Sequence, residues 1–361
     1  MKLKKTSIRD VAEAAGVSLA TVSNVFSGKK RVKESSERRV REAADRLGYH
    51  VDRAASQLRS GTNTTIAVLV PNIDDTFFST IVSEIERLAI NKGYDVLVAS
   101  THGLAEVEAS RISALMSWRP AGLIVVPTTG VLPDIFRSSI ANLPIVLVDR
   151  TDPKTNEFDT VTIDNRKIGY STGAYVRAKG HRHLLLVASD LSYPPIASRL
   201  EGFLEAFSAA DDKVEVVELG DEHRNGHQEV VNQLQENPSI TAVFALNYMT
   251  TLDSLSAFSE LELVVGQDIS FVAFDDDLWM SARLTGLTAV RQPVKEIAST
   301  AWTRLIERIE NSETKIPIQS KVLTAEIIER KSVIDINSRA DGFKETKPAY
   351  YNSEVIGSKR I

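Results

Sequence analysis

Residues 8–27 read IRDVAEAAGVSLATVSNVFS, and their apolar spacing decides the fold of the N-terminal region. Ile8, Val11, Ala12 and Ala15 recur at helical period, Gly16 interrupts, and Val22, Val25 and Phe26 resume the period. Glycine accepts the positive φ that a tight reversal between two short helices demands. Ser18 follows as an N-cap, its hydroxyl placed to accept a free amide of the next turn. The small side chain of Ala12 suits a close helix crossing. The pattern predicts a helix-turn-helix, with 19–26 as the helix that enters a DNA major groove. An ordinary αα-hairpin shares much of this pattern, so the residues that follow matter.

Residues 31–49 read RVKESSERRVREAADRLGY. Val32, Val40, Ala43, Ala44 and Leu47 supply a third helix over 36–47, capped at Ser35, which closes a three-helix core ending at Tyr49. Residues 53–61 read RAASQLRSG, an isolated helical segment over 53–59 stopped at Ser60-Gly61. Charge supports a nucleic-acid role for this part. The chain of 361 residues carries a net −5, yet the first sixty hold fourteen basic and seven acidic residues, a net +7. The remainder is therefore at −12, an acidic body behind a basic head.

Beyond the linker at 59–65 the pattern changes. Short Val/Ile/Leu runs at 66–70, 95–99, 122–126, 145–148 and 161–163 alternate with helical stretches at 77–92, 105–118 and 132–141. A second series follows, with strands at 184–187, 214–219, 242–246, 269–274 and 287–290 and helices at 166–179, 198–209, 226–235 and 250–259. Such alternation implies parallel sheets with helices on both faces, in two Rossmann-like lobes. Periodicity alone does not place the helix at 294–309 or the late strand at 322–329. Residues 337–361 are polar and mixed, and read as a mobile tail with no leucine heptad.

The motifs IRDVAEAAGVSLATVSNVFSG, RVKESSERRVREAADRLGY and RAASQLRSG resemble those of the lactose/galactose repressor (LacI/GalR) family of bacterial transcription regulators, and the likeness continues to about Val333. The resemblance implies a helix-turn-helix domain over 1–50 and a hinge helix over 51–64. It implies a two-lobed, periplasmic-binding-protein-like α/β body over 65–336. In that family the chain crosses between the lobes three times. Lobe one would then hold about 65–162 and 292–320, and lobe two about 163–291 and 321–336.

Base readout falls to the start of the second helix: Leu19 and Ala20 offer apolar contact, and Asn24 can pair with a base edge. Relatives often carry arginine at the position of Asn24, which leaves the operator sequence open. Ser18, Thr21, Ser23 and the basic run ending at Lys33 suit phosphate contacts. In the hinge, two copies of 53–59 would bury faces containing Ala55, and Leu58 would wedge into the minor groove; a plain tether is the alternative. Val51 and Asp52 stand where relatives often have Pro and Asn.

Ligands of open α/β sheets bind beyond the carboxyl ends of the strands. There the sequence places Asn72, Asp149, Asp190, Asn247 and Asp275. Phe77 and Phe78 could present an aromatic face to a ring. By resemblance Arg199, Asn247 and Asp275 contact the effector, with Trp279 as a stacking wall; Tyr248 stands where relatives commonly have Asp. Helix capping could by itself account for about half of the strand-end Asp and Asn residues.

The partners expected are a pseudo-palindromic operator in double-stranded DNA, a second copy of the chain, and a small effector, a carbohydrate or sugar acid; no cofactor is expected. With no cysteine, no apolar leader and no run of membrane-spanning length, the expected location is the cytoplasm. A sugar receptor shares the body but has no use for residues 1–60. No G-x-S-x-G, P-loop, H-E-x-x-H or cysteine nucleophile suggests an enzyme. His181, His183, Glu222, His223 and His227 read as loop-surface residues rather than a metal site.

Overall fold

The computed structural model describes residues 6–27, 30–49, 63–136, 138, 143–151, 157–220, 226–312, 314 and 316–339. The chain divides into two compact units, Met1–Thr64 and Thr65–Ile361.

In the first unit, helix α1 (Ile8–Ala15) opens on a reciprocal cap. Ser7 Oγ accepts from the Asp10 amide, and the Asp10 carboxylate accepts from the Ser7 amide at 2.7 Å. Gly16, at φ 62°, ends it in the left-handed turn that its sequence position requires. Helix α2 (Leu19–Ser27) starts from Ser18, whose Oγ accepts from the Thr21 amide at 3.1 Å. Helix α3 (Glu34–Leu47) corrects the expected cap at Ser35. Lys33 holds the cap position with extended backbone and no side-chain bond, and Ser35 lies inside the first turn. Glu34 and Glu37 there complement the helix dipole instead. Val11, Ala12, Val22, Val25, Val40 and Ala44 form the core of the three helices, and the Phe26 and Tyr49 rings meet at 5.7 Å.

The second unit is built on two six-stranded sheets. The first takes β1 (Thr65–Val70), β2 (Asp95–Ser100), β3 (Gly122–Val125), β4 (Ile145–Val148), β5 (Asp159–Ile163) and β11 (Ser320–Leu323), in the order β11-β5-β4-β3-β1-β2. The second takes β6 (His183–Ala188), β7 (Lys213–Glu218), β8 (Ala242–Ala245), β9 (Ser270–Phe274), β10 (Thr288–Arg291) and β12 (Glu326–Ile328), ordered β12-β10-β9-β8-β6-β7. All pairings are parallel except β10 with β12. Residues 66–70 of β1 and all of β8 are buried on both faces, as helix-covered parallel strands must be.

Helices α4 (Thr76–Lys92), α5 (Ala105–Met116) and α11 (Val294–Glu310) pack on the first sheet. Helices α6 (Asn165–Ala178), α7 (Pro194–Ala206), α8 (Gly226–Glu236), α9 (Tyr248–Glu260) and α10 (Leu278–Ala282) belong to the stretch of chain that carries the second. Helix α12 (Ile336–Arg339) ends the described chain.

Three expectations change. The late strand expected at 322–329 is two strands: β11 pairs with β5 in the first sheet and β12 with β10 in the second. Residues 321–323 therefore leave the second lobe, to which the resemblance had assigned them. Helix α7 begins at Pro194, four residues before the expected start, because proline is well suited to a first helical turn. The helix expected over 132–141 shows only the 3-10 turn Asp134–Phe136, with 137 and 139–142 outside the described residues.

A buried ion cluster fastens α11 to the first sheet. Asp159, 1% exposed, accepts from Arg304 Nε at 2.9 Å, from the Gln319 amide at 2.8 Å, and from Arg308 Nε.

Candidate functional site

On the helix-turn-helix unit, Ser18, Leu19, Ala20 and Ser23 are exposed, Leu19 by 44% of its surface, whereas Thr21 and Asn24 are half-buried. Ser18 Oγ and Thr21 Oγ1 also bond each other at 2.9 Å. Lys33 is exposed, and with Asn24, Arg31 and Arg41 it borders an open groove beside the second helix. Ala55 and Leu58 lie outside the described residues, as does the whole hinge segment 53–59.

In the body, two aspartates mark facing strand ends. Asp149 follows β4 and Asp275 follows β9, and both adopt left-handed backbone, φ 61° and 64°. Such a conformation is uncommon outside glycine, though aspartate tolerates it better than most residues. Neither carboxylate caps a helix. Arg199, on α7 and 3% exposed, interacts with both electrostatically. Its Nε donates to Asn165 Oδ1 at 2.8 Å, its Nη1 to the Leu246 carbonyl at 2.7 Å, and its guanidinium lies 3.6 Å from the centroid of the Phe274 ring.

The position of Arg199 depends on a close crossing of α6 and α7. A Cβ on Gly169 would stand 2.1 Å from the Arg199 carbonyl oxygen, and one on Gly202 would stand 1.9 Å from that of Arg166. Only glycine permits backbones this near.

Burial raises the Asp149 pKa above the ordinary carboxylate range, with Arg199 and Arg150 pulling it back. Burial likewise pushes Asp275 up to about 7, against the pull of Arg199. Arg199 is lowered by its own burial, opposed first by Asp275 and then by Asp149. Among the described residues no ion pair within 4.0 Å joins these aspartates to either arginine. The opposite charges interact at a longer range than an ion pair.

Other predicted residues fare differently. Asn247 is a helix cap: its Oδ1 accepts from the Thr250 amide at 2.9 Å while its Nδ2 donates to Ser189 Oγ at 2.7 Å. Asn72 and Asp190 accept from the amides of Asp74 and Ser192, ordinary turn bonds. Phe77 and Phe78 are buried edge-to-face at 5.2 Å, and Phe77 borders an opening of about 640 Å³ beside Asp275 and Gln292. Trp279, half-buried, packs against the core of the second sheet.

Sequence reasoning missed Asp75, Arg150, Tyr193 and Gln292. Asp75 caps α4 through the Phe77 amide at 2.9 Å, and burial raises its pKa. The Arg150 guanidinium lies 3.9 Å from the centroid of the Tyr193 ring and 5.6 Å from that of Phe78. Gln292 Nε2 donates to Asp275 Oδ1 at 2.6 Å. Arg150 and Gln292 were legible as strand-end polar residues, immediately after Asp149 and β10. Tyr193 carried no such signal.

His181 is fully buried, which corrects its assignment to the loop surface: its ring bonds Thr241 Oγ1 at 2.8 Å and the Ile334 carbonyl at 3.1 Å. Burial lowers its pKa to about 4. Glu222 and His223 lie outside the described residues. Among those described, no group of three or more His, Cys, Asp or Glu could hold a metal, and no helix is long and apolar enough to cross a membrane.

A basic helix-turn-helix unit, joined to a two-lobed α/β body with a polar interior at its strand ends, defines a ligand-responsive DNA-binding regulator. Residues 7–52 match the model for bacterial regulatory proteins of the lacI family, and residues 63–262 match that for periplasmic binding proteins and the sugar binding domain of the LacI family. The chain belongs to the LacI family. It is 28% identical over 335 residues to the HTH-type transcriptional repressor PurR of Proteus mirabilis, covering 91% of this chain and 97% of that one. Against PurR of Escherichia coli O1:K1 the figures are 28% over 333 residues, 91% and 97%. The lac repressor dimer bound to operator and the anti-inducer ONPF superposes with a TM-score of 0.77 at 25% identity, covering 92% of this chain and all of that one. A putative ribose operon repressor from Burkholderia thailandensis gives 0.65 at 26%, covering 74% and 99%.

Proposed function

We propose that the protein is a homodimeric transcriptional repressor whose grip on its operator is set by a small carbohydrate bound among Asp149, Arg199 and Asp275. Leu19, Ala20 and Asn24 read bases, Ser18, Thr21, Ser23 and Lys33 hold phosphates, and Ala55 and Leu58 serve the paired hinge. The observation that carries the effector site is the pair of left-handed aspartates, Asp149 and Asp275. They follow strands of different sheets, cap nothing, and interact electrostatically with the buried guanidinium of Arg199. Strain of this kind persists where the surroundings impose it, and it concentrates at ligand clamps. The dimer and the carbohydrate are supported by the operator-bound lac repressor dimer and the ribose operon repressor, whose folds this chain shares.

Effector binding shifts the lobes relative to each other only by its difference in affinity for the two arrangements, and operator affinity changes by the same coupling. Two substitutions separate the two roles. Asn24→Ala is expected to weaken operator binding at unchanged effector affinity. Asp275→Ala is expected to abolish the effector response at near-normal ligand-free operator binding, if the effector is an inducer. Operator titrations of both variants, with and without effector, measure this; a full response in Asp275→Ala refutes the site.

A further inference from the structure

Among the described residues the chain passes between the two sheets three times, at 163–165, 291–294 and 323–326. β5 leads through Asp164 into α6, β10 through Gln292 and Pro293 into α11, and β11 through Thr324 and Ala325 into β12. The first two crossings each touch a residue of the candidate effector site. Asn165 Oδ1 accepts from Arg199, and Gln292 Nε2 donates to Asp275. The Asp164 amide donates to the Leu323 carbonyl at 3.2 Å, which joins the first crossing to the third.

Asp276 joins the second crossing to the third, through a side chain that is 3% exposed. Its Oδ2 accepts from Arg291 Nη2 at 2.6 Å, from Arg291 Nε at 3.0 Å and from Arg330 Nη2 at 3.0 Å. Its Oδ1 accepts from Arg330 Nη1 at 2.6 Å, and its amide donates to the Val290 carbonyl at 3.2 Å. Arg291 ends the strand that leaves the second sheet, and Arg330 lies two residues past the strand that re-enters it. Burial would raise the Asp276 pKa, yet the bonds from Arg330 and Arg291 hold it below the ordinary carboxylate range. The carboxylate is not needed as a helix cap, because Asp277 caps α10. Two planar guanidinium forks on one carboxylate fix direction as well as distance, so neither strand can turn without the other.

We propose that Asp276 is a positioning residue: it ties the loop that carries Asp275 to the second and third crossings, so that a change at Asp275 moves both strands together and the angle between the lobes with them. The proposal rests on the reading of the chain as an effector-controlled repressor, and names the residue through which the two ends of that control communicate. Without the clamp, Asp275 can still take its ligand and the N-terminal unit can still bind DNA, but neither event affects the other. Coupling between sites is reciprocal. Operator binding is therefore felt at the crossings even without effector.

The test uses the full-length protein and a palindromic duplex selected from a random pool. Hydrogen exchange is read in peptides spanning 160–168, 272–294 and 320–332, with and without saturating duplex. In the wild type, duplex is expected to change exchange at these crossings by about fivefold or more. Asp276→Asn sets an N–H donor against a guanidinium, and the change should fall below about twofold although the variant still binds duplex. Arg291→Gln alters a side chain that is 47% exposed, so it serves where Asp276→Asn fails to fold, and it should lose the change in 272–294. Either variant that responds to duplex as the wild type does overturns the proposal. Exchange that quickens equally in β1 and β8 overturns it too, because Asp276 would then only hold the fold together. A wild-type chain that binds no duplex refutes the repressor reading and the clamp with it, whereas one that binds with its crossings unchanged refutes the clamp alone.

Discussion

Replacing Gly169 by alanine tests whether the α6–α7 crossing positions Arg199. The new Cβ would stand 2.1 Å from the Arg199 carbonyl oxygen and 2.9 Å from its carbonyl carbon. Ordinary contact begins at 3.4 Å, so the helices must separate by about 1.3 Å. Both partners are backbone, and no rotamer change relieves the clash. The hydrogen bonds of Arg199, at 2.8 and 2.7 Å, would stretch beyond the 3.5 Å at which such bonds are lost. Overpacking of this sort costs about 1–3 kcal/mol, against roughly 1 kcal/mol gained from the better helix propensity of alanine. The balance is a loss of up to about 2 kcal/mol, or a melting temperature lower by up to roughly 8 °C. Effector affinity should fall about tenfold or more, each decade being about 1.4 kcal/mol. Differential scanning fluorimetry and effector titration read both. A variant that melts higher, as helix propensity alone predicts, with effector affinity intact, refutes the tight crossing.

Asp159→Ala should destabilise the body by about 3–5 kcal/mol, because it removes the buried carboxylate shared by Arg304 and Arg308 and leaves Arg304 only the half-exposed Glu307; chemical denaturation measures it, and a loss under about 1 kcal/mol would count against the cluster. Asp275 has a pKa of about 7 in the folded chain against 3.8 for a free aspartate side chain. The native state therefore keeps a proton that the unfolded state releases, and stability falls as pH rises from about 4 to 7, by up to about 1.4 kcal/mol per pH unit for this group. Asp275→Asn should flatten that slope in denaturation curves taken at pH 5, 6 and 7, and parallel curves would contradict it. DNA binding rests on a net +7 in each N-terminal arm, so affinity should drop by about 10³–10⁵ between 50 and 200 mM salt if the dimer neutralises roughly 6–10 phosphates.

The helix-turn-helix and most strands were legible because their signals are local. Gly16 and Ser18 announce their own geometry, and a run such as IAVLV at 66–70 has one compact solution, a central parallel strand. What was not legible depended on partners distant in sequence. Residues 322–329 read as one strand, since nothing local shows that β11 pairs with β5 while β12 pairs with β10. At the site, strand-end position selected Asp149 and Asp275 together with Asn72, Asp190 and Asn247, and could not separate them. The separation lies in backbone conformation: left-handed φ turns two of them away from capping, while the other three satisfy nearby amides. Glycines 169 and 202 looked like flaws in helices until the opposite helix was in place. Tyr193 meets Arg150, which follows a strand of the other sheet.

The central claim is that a ligand held by Asp149, Arg199 and Asp275 governs DNA affinity. It is tested most directly by fluorescence-anisotropy titration of a palindromic duplex selected from a random pool, using the wild-type chain and Arg199→Lys, with and without the effector identified by thermal shift. Lysine keeps the charge but cannot serve Asn165 and the Leu246 carbonyl together as the planar guanidinium does. The account predicts that effector shifts the wild-type operator affinity by about 5–150-fold, and that Arg199→Lys binds ligand-free operator normally but shifts less than twofold. A full shift in Arg199→Lys at the same effector concentration would contradict it.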